Sequence, residues 1–403
     1  MKAQKMSSFF HQRRSEFLRE GFLCAALVAS LWCGCSHHPV YPDYGSASIT
    51  SDPAGAEILI DGATTRRATP CKLDGLSTGT HSLMLRKWNY GIQRQTIAIR
   101  PAQTTHVNIH LQPIDPRMVI NDINGASDFA YDPVNQRIYV ATWGAQCLVC
   151  AVDDTLVTPL YGIEMGEHQL LVAASPVTNR VFCLLESGAL AMADPASPNT
   201  LRLLVLPGMA QCRALLVSPD GNTVVASDYA NQRLVLIDAR LGSVLRYINL
   251  PGSPGDLLFT PSGTELYALL PPQRQLIKLD LATGAVLRTV ATGNNPTGLF
   301  WNADGQSVGF CNCNDHSITM VTLANWSPVT AAFSLSATWG SYATPEPDYI
   351  FFMSNFGLCS CYLPEWKMTY LWSGSPIRIL ASRQARRYYL LFYGGICVID
   401  THF

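Results

Sequence analysis

Charged residues are scarce in this sequence. Asp, Glu, Lys and Arg make up 14% of the 403 residues, against about a quarter in an average globular protein. Lys and Arg form no run that would neutralise a phosphate backbone, and the net charge is −1. Because nucleic-acid binding depends on such positive surfaces, the composition argues against a nucleic-acid partner.

The signatures of several large enzyme classes are also absent. No segment has the His-Glu-x-x-His, Gly-x-Gly-x-x-Gly or phosphate-binding-loop pattern. The sequence therefore predicts no catalytic residues and no cofactor. A binding or structural function is favoured over an enzymatic one.

Cysteine, by contrast, is plentiful, with 13 residues. Cys147 and Cys150 have the spacing of a zinc or redox motif, but no second pair of this kind accompanies them. Their segment reads as a strand, on which residues three apart face opposite sides. We therefore expect buried, apolar cysteines and no metal site. Inter-strand disulfides are one alternative. Another is a site shared by residues of two neighbouring segments, which are Cys311, Cys313, His316, Cys359 and Cys361.

A basic segment and a short apolar stretch begin the chain. Residues 1–20 contain five Lys and Arg, and a mainly apolar stretch follows at 21–35. This stretch is shorter than the roughly 20 residues that cross a bilayer, but it has the length of a signal-peptide core. Gly34 and Cys35 end it, and a polar segment follows.

This N-terminus resembles the signal of bacterial lipoproteins, in which a cysteine after a small residue is lipidated. The resemblance implies a signal peptide over residues 1–35, lipid attachment at Cys35 and a linker at 36–43. It also implies a protein tethered to a membrane on the extracytoplasmic side of the cell envelope. A plain secretory signal and an uncleaved anchor are the alternatives. Cys33 is a competing attachment site, and Met6 is an alternative start.

Residues 44–113 predict a small β domain. Short alternating runs separated by glycine turns are expected to form its strands, at Ala47–Ile49, Glu57–Ile60, His81–Arg86, Gln95–Ile99 and His106–Leu111. The segment resembles the PEGA domain family along its length. The residues that carry this resemblance are Ser51 to Glu57, Ile60-Asp61-Gly62, Thr69-Pro70, Gly79-Thr80-His81 and Lys87 to Tyr90. The resemblance implies a β-sandwich of extracytoplasmic proteins and no chemistry.

A unit of 42 or 43 residues repeats through residues 117–403. Its turn prolines are Pro133, Pro176, Pro219, Pro261 and Pro345, and Ala303 fills the place between the last two. Each unit holds apolar runs separated by polar turns. A repeat of this length built of short strands predicts a β-propeller. The whole chain is therefore expected to be all-β.

Seven units are predicted, with six or eight as alternatives. Their inner strands are expected at Asp128–Tyr131, Leu170–Ala174, Ala214–Val217, Asp256–Thr260, Gly298–Asn302, Ser341–Thr344 and Ile377–Ser382. The last unit lacks a fourth strand, whereas the apolar run 117–120 has no unit of its own. We therefore expect this run to supply the missing outer strand and to close the ring without a free edge.

The units resemble the YVTN-type, surface-layer-like propeller repeats. The residues that carry this resemblance include Ser218-Pro219-Asp220-Gly221, Asn231-Gln232, Leu236-Ile237-Asp238 and Gly242. Aspartates recur after the third strand, and because they occur once per unit we interpret them as turn residues. They are Asp153, Asp194, Asp238, Asp280 and Asp400.

Ligands of propellers usually meet the loops where the inner strands begin. The repeat alignment predicts five candidate binding residues there, namely Asp128, Arg213, Asp256, Trp339 and Arg378. A mixed acidic, basic and aromatic rim suits an envelope protein or peptide as partner. The favoured function is a membrane-tethered binding or scaffold protein. A propeller enzyme of the lactonase or lyase type and a structural surface-layer component are the alternatives.

Overall fold

The described part of the chain divides into two compact units. The first comprises the residues up to Met84 together with 95–109, and the second comprises 85–94 and the residues from His110 onward. The computed structural model describes residues 43–400 except 88–89, 114–116, 122, 124, 153–156, 210, 303, 334–337, 344–348, 355–356, 364–365, 373–375 and 383–386.

The first unit is built on two β-sheets. One sheet has the order β4-β1-β7 and the other β3-β2-β5-β6. Alternate residues of β1 are buried, Ala47 and Ile49 among them, because successive side chains of a strand face opposite sides. The strands are β1 (Tyr44–Asp52), β2 (Glu57–Ile60), β3 (Ala63–Ala68), β4 (Cys71–Ser77), β5 (Gly79–Arg86), β6 (Gln93–Ile99) and β7 (Thr104–His110).

The second unit contains seven four-stranded antiparallel sheets in its described residues. The innermost strands of successive sheets contact one another, and that of the seventh contacts that of the first. The sheets are therefore the blades of a closed seven-bladed propeller. The predicted all-β fold, with a small β domain before a propeller, is confirmed.

The strands of each blade follow the chain from the inside outward, except in blade seven. Those of blades one to four are β9 (Ala126–Asp132), β10 (Arg137–Thr142), β11 (Gln146–Val152), β12 (Val157–Glu164); β13 (Gln169–Ser175), β14 (Arg180–Leu185), β15 (Leu190–Asp194), β16 (Ser197–Leu204); β17 (Cys212–Val217), β18 (Thr223–Asp228), β19 (Arg233–Asp238), β20 (Val244–Asn249); β21 (Leu257–Phe259), β22 (Glu265–Leu270), β23 (Gln275–Asp280) and β24 (Val286–Ala291).

Blades five to seven follow the same plan. Their strands are β25 (Pro296–Trp301), β26 (Ser307–Asn312), β27 (Ser317–Thr322), β28 (Ser327–Ala332); β29 (Thr338–Ala343), β30 (Tyr349–Ser354), β31 (Gly357–Tyr362), β32 (Lys367–Trp372); β33 (Arg378–Ser382), β34 (Arg387–Phe392) and β35 (Gly395–Asp400). Two short 3-10 helices, Pro271–Gln273 and Cys313–Asp315, lie between the second and third strands of blades four and five.

Apolar cores lie between neighbouring blades. In β14, the side chains of Val181 and Cys183 pack against blade one. The alternate side chains, Phe182 and Leu184, pack against blade three. The second and third strands are thus buried on both faces, which explains their nearly continuous apolar sequence.

Blade seven takes its outermost strand from the start of the propeller. Strand β8 (Arg117–Asn121) pairs antiparallel with β35, with Ile120 opposite Ile396. The core beside this junction combines Ile138 and Val140 of blade one with Tyr389 and Leu391 of blade seven. The first and last blades are therefore joined by a shared sheet and a shared core.

Candidate binding surface where the inner strands begin

The antiparallel order of the strands gives the propeller two different ends. One end carries the beginnings of the inner strands and the turns between second and third strands, and we call it the variable end. The other carries the turns between first and second and between third and fourth strands, and we call it the repeating end.

At the repeating end, the recurring aspartates cap their own turns. Asp238 Oδ1 accepts hydrogen bonds from the main-chain N–H groups of Arg240 at 2.8 Å and Leu241 at 2.6 Å. Asp280 Oδ1 accepts hydrogen bonds from both the main-chain N–H and the hydroxyl of Thr283. These hydrogen bonds lower the pKa of Asp280. Such bonds satisfy turn N–H groups, as the repeat pattern predicted.

Asp194 follows the same rule, since its Oδ1 accepts from Ala196 N at 2.8 Å. The side chains of the other two recurring aspartates, Asp153 and Asp400, lie outside the described part of the chain. The described members of this set are therefore structural residues.

At the variable end, Asp128 in β9 joins three blades. Its Oδ1 accepts from Arg378 Nη1 of blade seven at 2.5 Å, and its Oδ2 accepts from Val172 N of blade two at 2.9 Å. Asp128 is buried, and the Arg378 side chain is 33% exposed. Burial raises the pKa of the Asp128 carboxyl, while Arg378 and the N–H donors oppose that rise. Two predicted binding residues, Asp128 and Arg378, are thus brought together as a link across the ring closure.

Asp256 occupies the repeat position of Asp128 in blade four. Its Oδ2 accepts a hydrogen bond from Gly298 N, in the inner strand of blade five. The main-chain carbonyl of Asp256 also accepts from Leu269 N at 2.9 Å. Asp256 is therefore a second link between blades. Trp339 lies near the same end, at the beginning of β29, but its side chain is not part of the described structure.

An aromatic pair lies exposed at the same end, beside the closure. Trp143 and Tyr393 follow the second strands of blades one and seven, and their rings meet edge to face at 5.2 Å. They are 52% and 54% exposed. The backbone holds both residues, because Trp143 N donates to Gly125 O and Ala126 N donates to Tyr393 O. A Cβ on residue 125 would lie 3.0 Å from the Cβ of Trp143. Glycine at this position therefore leaves room for the Trp143 side chain.

Trp143 and Tyr393 are not among the binding residues predicted from the sequence, although the repeat carries a signal for them. Every blade has one residue directly after its second strand, and the repeat places Trp143, Glu186, Tyr229, Pro271 and Cys313 there at steps of 43, 43, 42 and 42. This column varies between units of an otherwise regular repeat, which is typical of surface loops and makes its members candidates for contacts with a partner.

A cleft of about 320 Å³ opens between blades two and three at the variable end. Arg213, the fifth candidate from the sequence, lies on its wall. The guanidinium of Arg213 stacks over the Tyr229 ring at 3.9 Å from the ring centroid. The cleft is lined mainly by apolar and uncharged residues, with Glu186 and Arg213 as its charged members.

In the first unit, three side chains resemble a hydrolase triad. His81 Nδ1 lies 2.6 Å from Asp61 Oδ2, and Ser77 Oγ lies 3.2 Å from His81 Nε2. The same Nε2 lies 2.8 Å from the Ser77 carbonyl oxygen, which can only accept, so we assign protons to both ring nitrogens. The hydrogen bond to Asp61 is the main cause of the raised pKa of His81. A doubly protonated imidazole cannot take a proton from Ser77, and the group is a structural clamp.

The described cysteines of the propeller lie in or against apolar cores. Cys147 and Cys150 belong to the cores on opposite faces of their blade, and burial raises the pKa of Cys150 to about 12. The pairs of blades five and six share one core with Phe300 and Phe352. Among the described cysteines, Cys147, Cys150, Cys183, Cys359 and Cys361 are free thiols. Within the described residues, no group of three His, Cys, Asp or Glu side chains has a metal-binding arrangement.

Comparison with known families decides the nature of the first unit. Residues 44–115 match the model of the PEGA domain. This part of the chain is similar to the PEGA domain family. The match confirms the predicted resemblance at 44–113, and the matched segment contains the Ser77–His81–Asp61 clamp.

Solved structures resemble the propeller in fold. A chain of Kuenenia stuttgartiensis hydrazine synthase matches with a TM-score of 0.59 and 15% identity, over 70% of this chain and 97% of that chain. At this identity the likeness shows the fold alone. A search of curated proteins finds no sequence match.

The predicted lipid attachment site, Cys35, lies outside the described residues, as does the rest of the signal segment. Among the residues that are described, no helix is long and apolar enough to cross a membrane.

Proposed function

We propose that this protein is an extracytoplasmic binding or scaffold protein without catalytic activity. In this proposal, a lipid on Cys35 tethers it to a membrane of the bacterial envelope, the PEGA domain follows, and the propeller binds an envelope protein or peptide through its variable end. A PEGA-like domain followed in sequence by a propeller supports a binding or scaffold role by analogy of fold, and the site must carry the rest of the argument.

The observation that carries the binding proposal is the Trp143–Tyr393 pair. Aromatic residues dominate the binding energy of protein interfaces, and these two are exposed yet held in place by backbone hydrogen bonds. A rigid aromatic anchor loses little conformational entropy when a partner covers it. Asp128 and Asp256, in contrast, already serve the ring itself.

Affinity capture from envelope membranes tests the binding function. Wild-type protein and a Trp143→Ala/Tyr393→Ala variant should differ, with an envelope protein enriched on the wild type and lost from the variant. Val134→Ala provides the matched control, because Val134 is an exposed apolar residue of the same blade at the repeating end. Equal recovery on all three proteins would count against binding at the variable end.

Metabolic labelling with a fatty acid tests the tether. The wild-type protein should incorporate the label and fractionate with membranes, and Cys35→Ser should lose both properties. Cys33→Ser is the control, since Cys33 is the neighbouring thiol. Labelling that survives in Cys35→Ser would contradict the proposed attachment site.

A further inference from the structure

The cleft between blades two and three combines an apolar wall with one positively charged group. Its lining includes Leu170, Leu184, Leu185 and Met209, and Leu170 is 42% exposed. With a volume of about 320 Å³, it lies at the lower end of the roughly 300–1,000 Å³ range of small-ligand sites.

The cleft is fixed by main-chain contacts on both sides. Gly188, at the tip of the β14–β15 turn, has a φ of 82°, and a Cβ there would lie 2.9 Å from the Met209 carbonyl oxygen. On the other side, buried Ser227 Oγ accepts the N–H groups of Arg213 at 3.0 Å and Ala214 at 2.8 Å. The concavity is therefore formed before any ligand arrives.

Arg213 is held in position by its neighbour. Its guanidinium stacks on Tyr229, and Tyr229 N donates to Gln211 O at 2.9 Å. The turn that carries Tyr229 is anchored by the ion pair of buried Asp228 with Arg233 at 2.8 Å. Stacking uses the face of the guanidinium and leaves its edge of N–H donors free to meet a planar anion.

The charged side chains around the cleft differ in their partners. Glu186 pairs with His168, with 3.2 Å between Oε2 and Nδ1, and Glu167 accepts two hydrogen bonds from Ser187. In the part of the chain that the structure describes, Arg213 makes no ion pair. Burial raises the pKa of the Cys212 thiol to about 12, so this group adds no negative charge. Arg213 is therefore the positively charged group of the lining, and Glu186 is its negatively charged one, with its own partner in His168.

We infer that this cleft binds a carboxylate that adjoins an apolar side chain. The carboxylate would meet the N–H edge of Arg213, and the apolar side chain would lie against Leu170 and Met209. Both the C-terminal residue of a peptide and a free small acid have this chemistry. The inference rests on the proposed binding function and names a ligand class for one part of the variable end.

Two matched small molecules test the inference. N-acetyl-leucine and N-acetyl-leucinamide share the apolar side chain and differ in the carboxylate. Binding to the full chain is followed through the methyl NMR resonance of Met209, which lines the cleft. The acid should bind roughly tenfold more tightly than the amide, because a charge-assisted hydrogen bond is lost in the amide.

Substitutions test whether Arg213 is the group that binds the carboxylate. Arg213→Gln should reduce the affinity for the acid to that for the amide, whereas Arg240→Gln, an exposed arginine of the same blade at the repeating end, should change nothing. If Arg213→Gln does not fold, Tyr229→Leu is the second variant, because it removes the ring on which Arg213 stacks. It should weaken binding of the acid and leave binding of the amide unchanged. Equal binding of acid and amide, or unchanged acid binding in Arg213→Gln, would overturn the inference.

A longer ligand distinguishes the two sources. A hexapeptide that ends in leucine with a free carboxyl group should bind more tightly than N-acetyl-leucine if the natural ligand is a peptide C-terminus, and equally if it is a small acid. The capture experiment at Trp143 and Tyr393 is independent of these results. If no partner is captured, the proposed function is contradicted. If a partner is captured but the cleft does not prefer the acid to the amide, only this inference is contradicted.

Discussion

The two ends of the propeller use carboxylates in different ways. At the repeating end, Asp238 and Asp280 accept N–H groups of the turns in which they lie. At the variable end, Asp128 and Asp256 accept N–H groups of the next blade, 44 and 42 residues further along the chain. The first use needs only local sequence, and the second needs two neighbouring blades to be folded together.

This difference explains why the two ends have diverged. Turn caps act within each unit, so the repeat preserves them in blade after blade. Contacts between blades, such as those of Asp128 and Asp256, need two units, and the residues at the variable end differ between most units. The same end therefore carries the closure link, the aromatic pair and the cleft, and we expect functional differences to map there.

The largest expected effect on stability is that of Asp128→Ala. The change leaves Arg378 and the Val172 N–H without their buried acceptor, and removing one partner of a buried ion pair costs about 3 kcal/mol. Urea unfolding followed by tryptophan fluorescence measures it. Asp128→Asn, which keeps an acceptor oxygen, should lose less. If Asp128→Ala lowers the free energy of unfolding no more than the loss of a turn aspartate does, the proposed difference between the two ends is contradicted.

Asp238→Ala should have an intermediate effect. The change removes the acceptor of two turn N–H groups that water can reach, which costs about 1 kcal/mol. The same urea titration provides the value, and Arg240→Ala, which changes a side chain of the same turn but keeps its main-chain donor, is the control. A loss as large as that of Asp128→Ala would mean that the repeating end also stabilises the ring as a whole.

Trp143→Ala should affect stability little. The side chain is half exposed, and its edge-to-face contact with Tyr393 contributes about 0.5–1 kcal/mol. Thermal unfolding should therefore be nearly that of the wild type while partner capture is lost. If stability falls as far as in Asp128→Ala, the pair is part of the closure and not a free surface.

His81 adds a pH dependence to the stability of the first unit. The hydrogen bond to Asp61 raises the pKa of His81 above its usual 6.5. The stabilisation from this pair is therefore fully present below about pH 6.5 and is lost as the pH rises through the raised value. Imidazole NMR titration of the full chain, assigned with His81→Gln, should show a pKa above 6.5, and Asp61→Asn should lower it. A wild-type pKa at or below 6.5 would contradict the clamp.

Local pattern predicted much of this structure. The 42- to 43-residue step, the alternating runs of the PEGA domain and the spare apolar segment at 117–120 all reflect burial periods that a sequence displays directly. The turn role of Asp238 followed from its recurrence. The candidate site was only partly predictable, because repeat alignment identifies an end of the ring but not the contacts made there.

The missed features depend on distant residues. Asp128 and Arg378 are 250 residues apart and meet only when blade seven closes against blade one. The stacking of Arg213 on Tyr229 depends on which rotamers the cleft allows. Trp143 and Tyr393 are not neighbours in any single unit, so their pairing requires the seven-blade count to be known first.

Site-specific photo-cross-linking in living cells tests the central claim most directly. A photoreactive amino acid would replace Tyr393 or Leu170 at the variable end, and Val134 or Leu241 at the repeating end, since all four are exposed. The proposed function predicts the same cross-linked envelope partner from both variable-end positions and none from the repeating end. Adducts of that partner at Val134 or Leu241, with none at Tyr393, would contradict it.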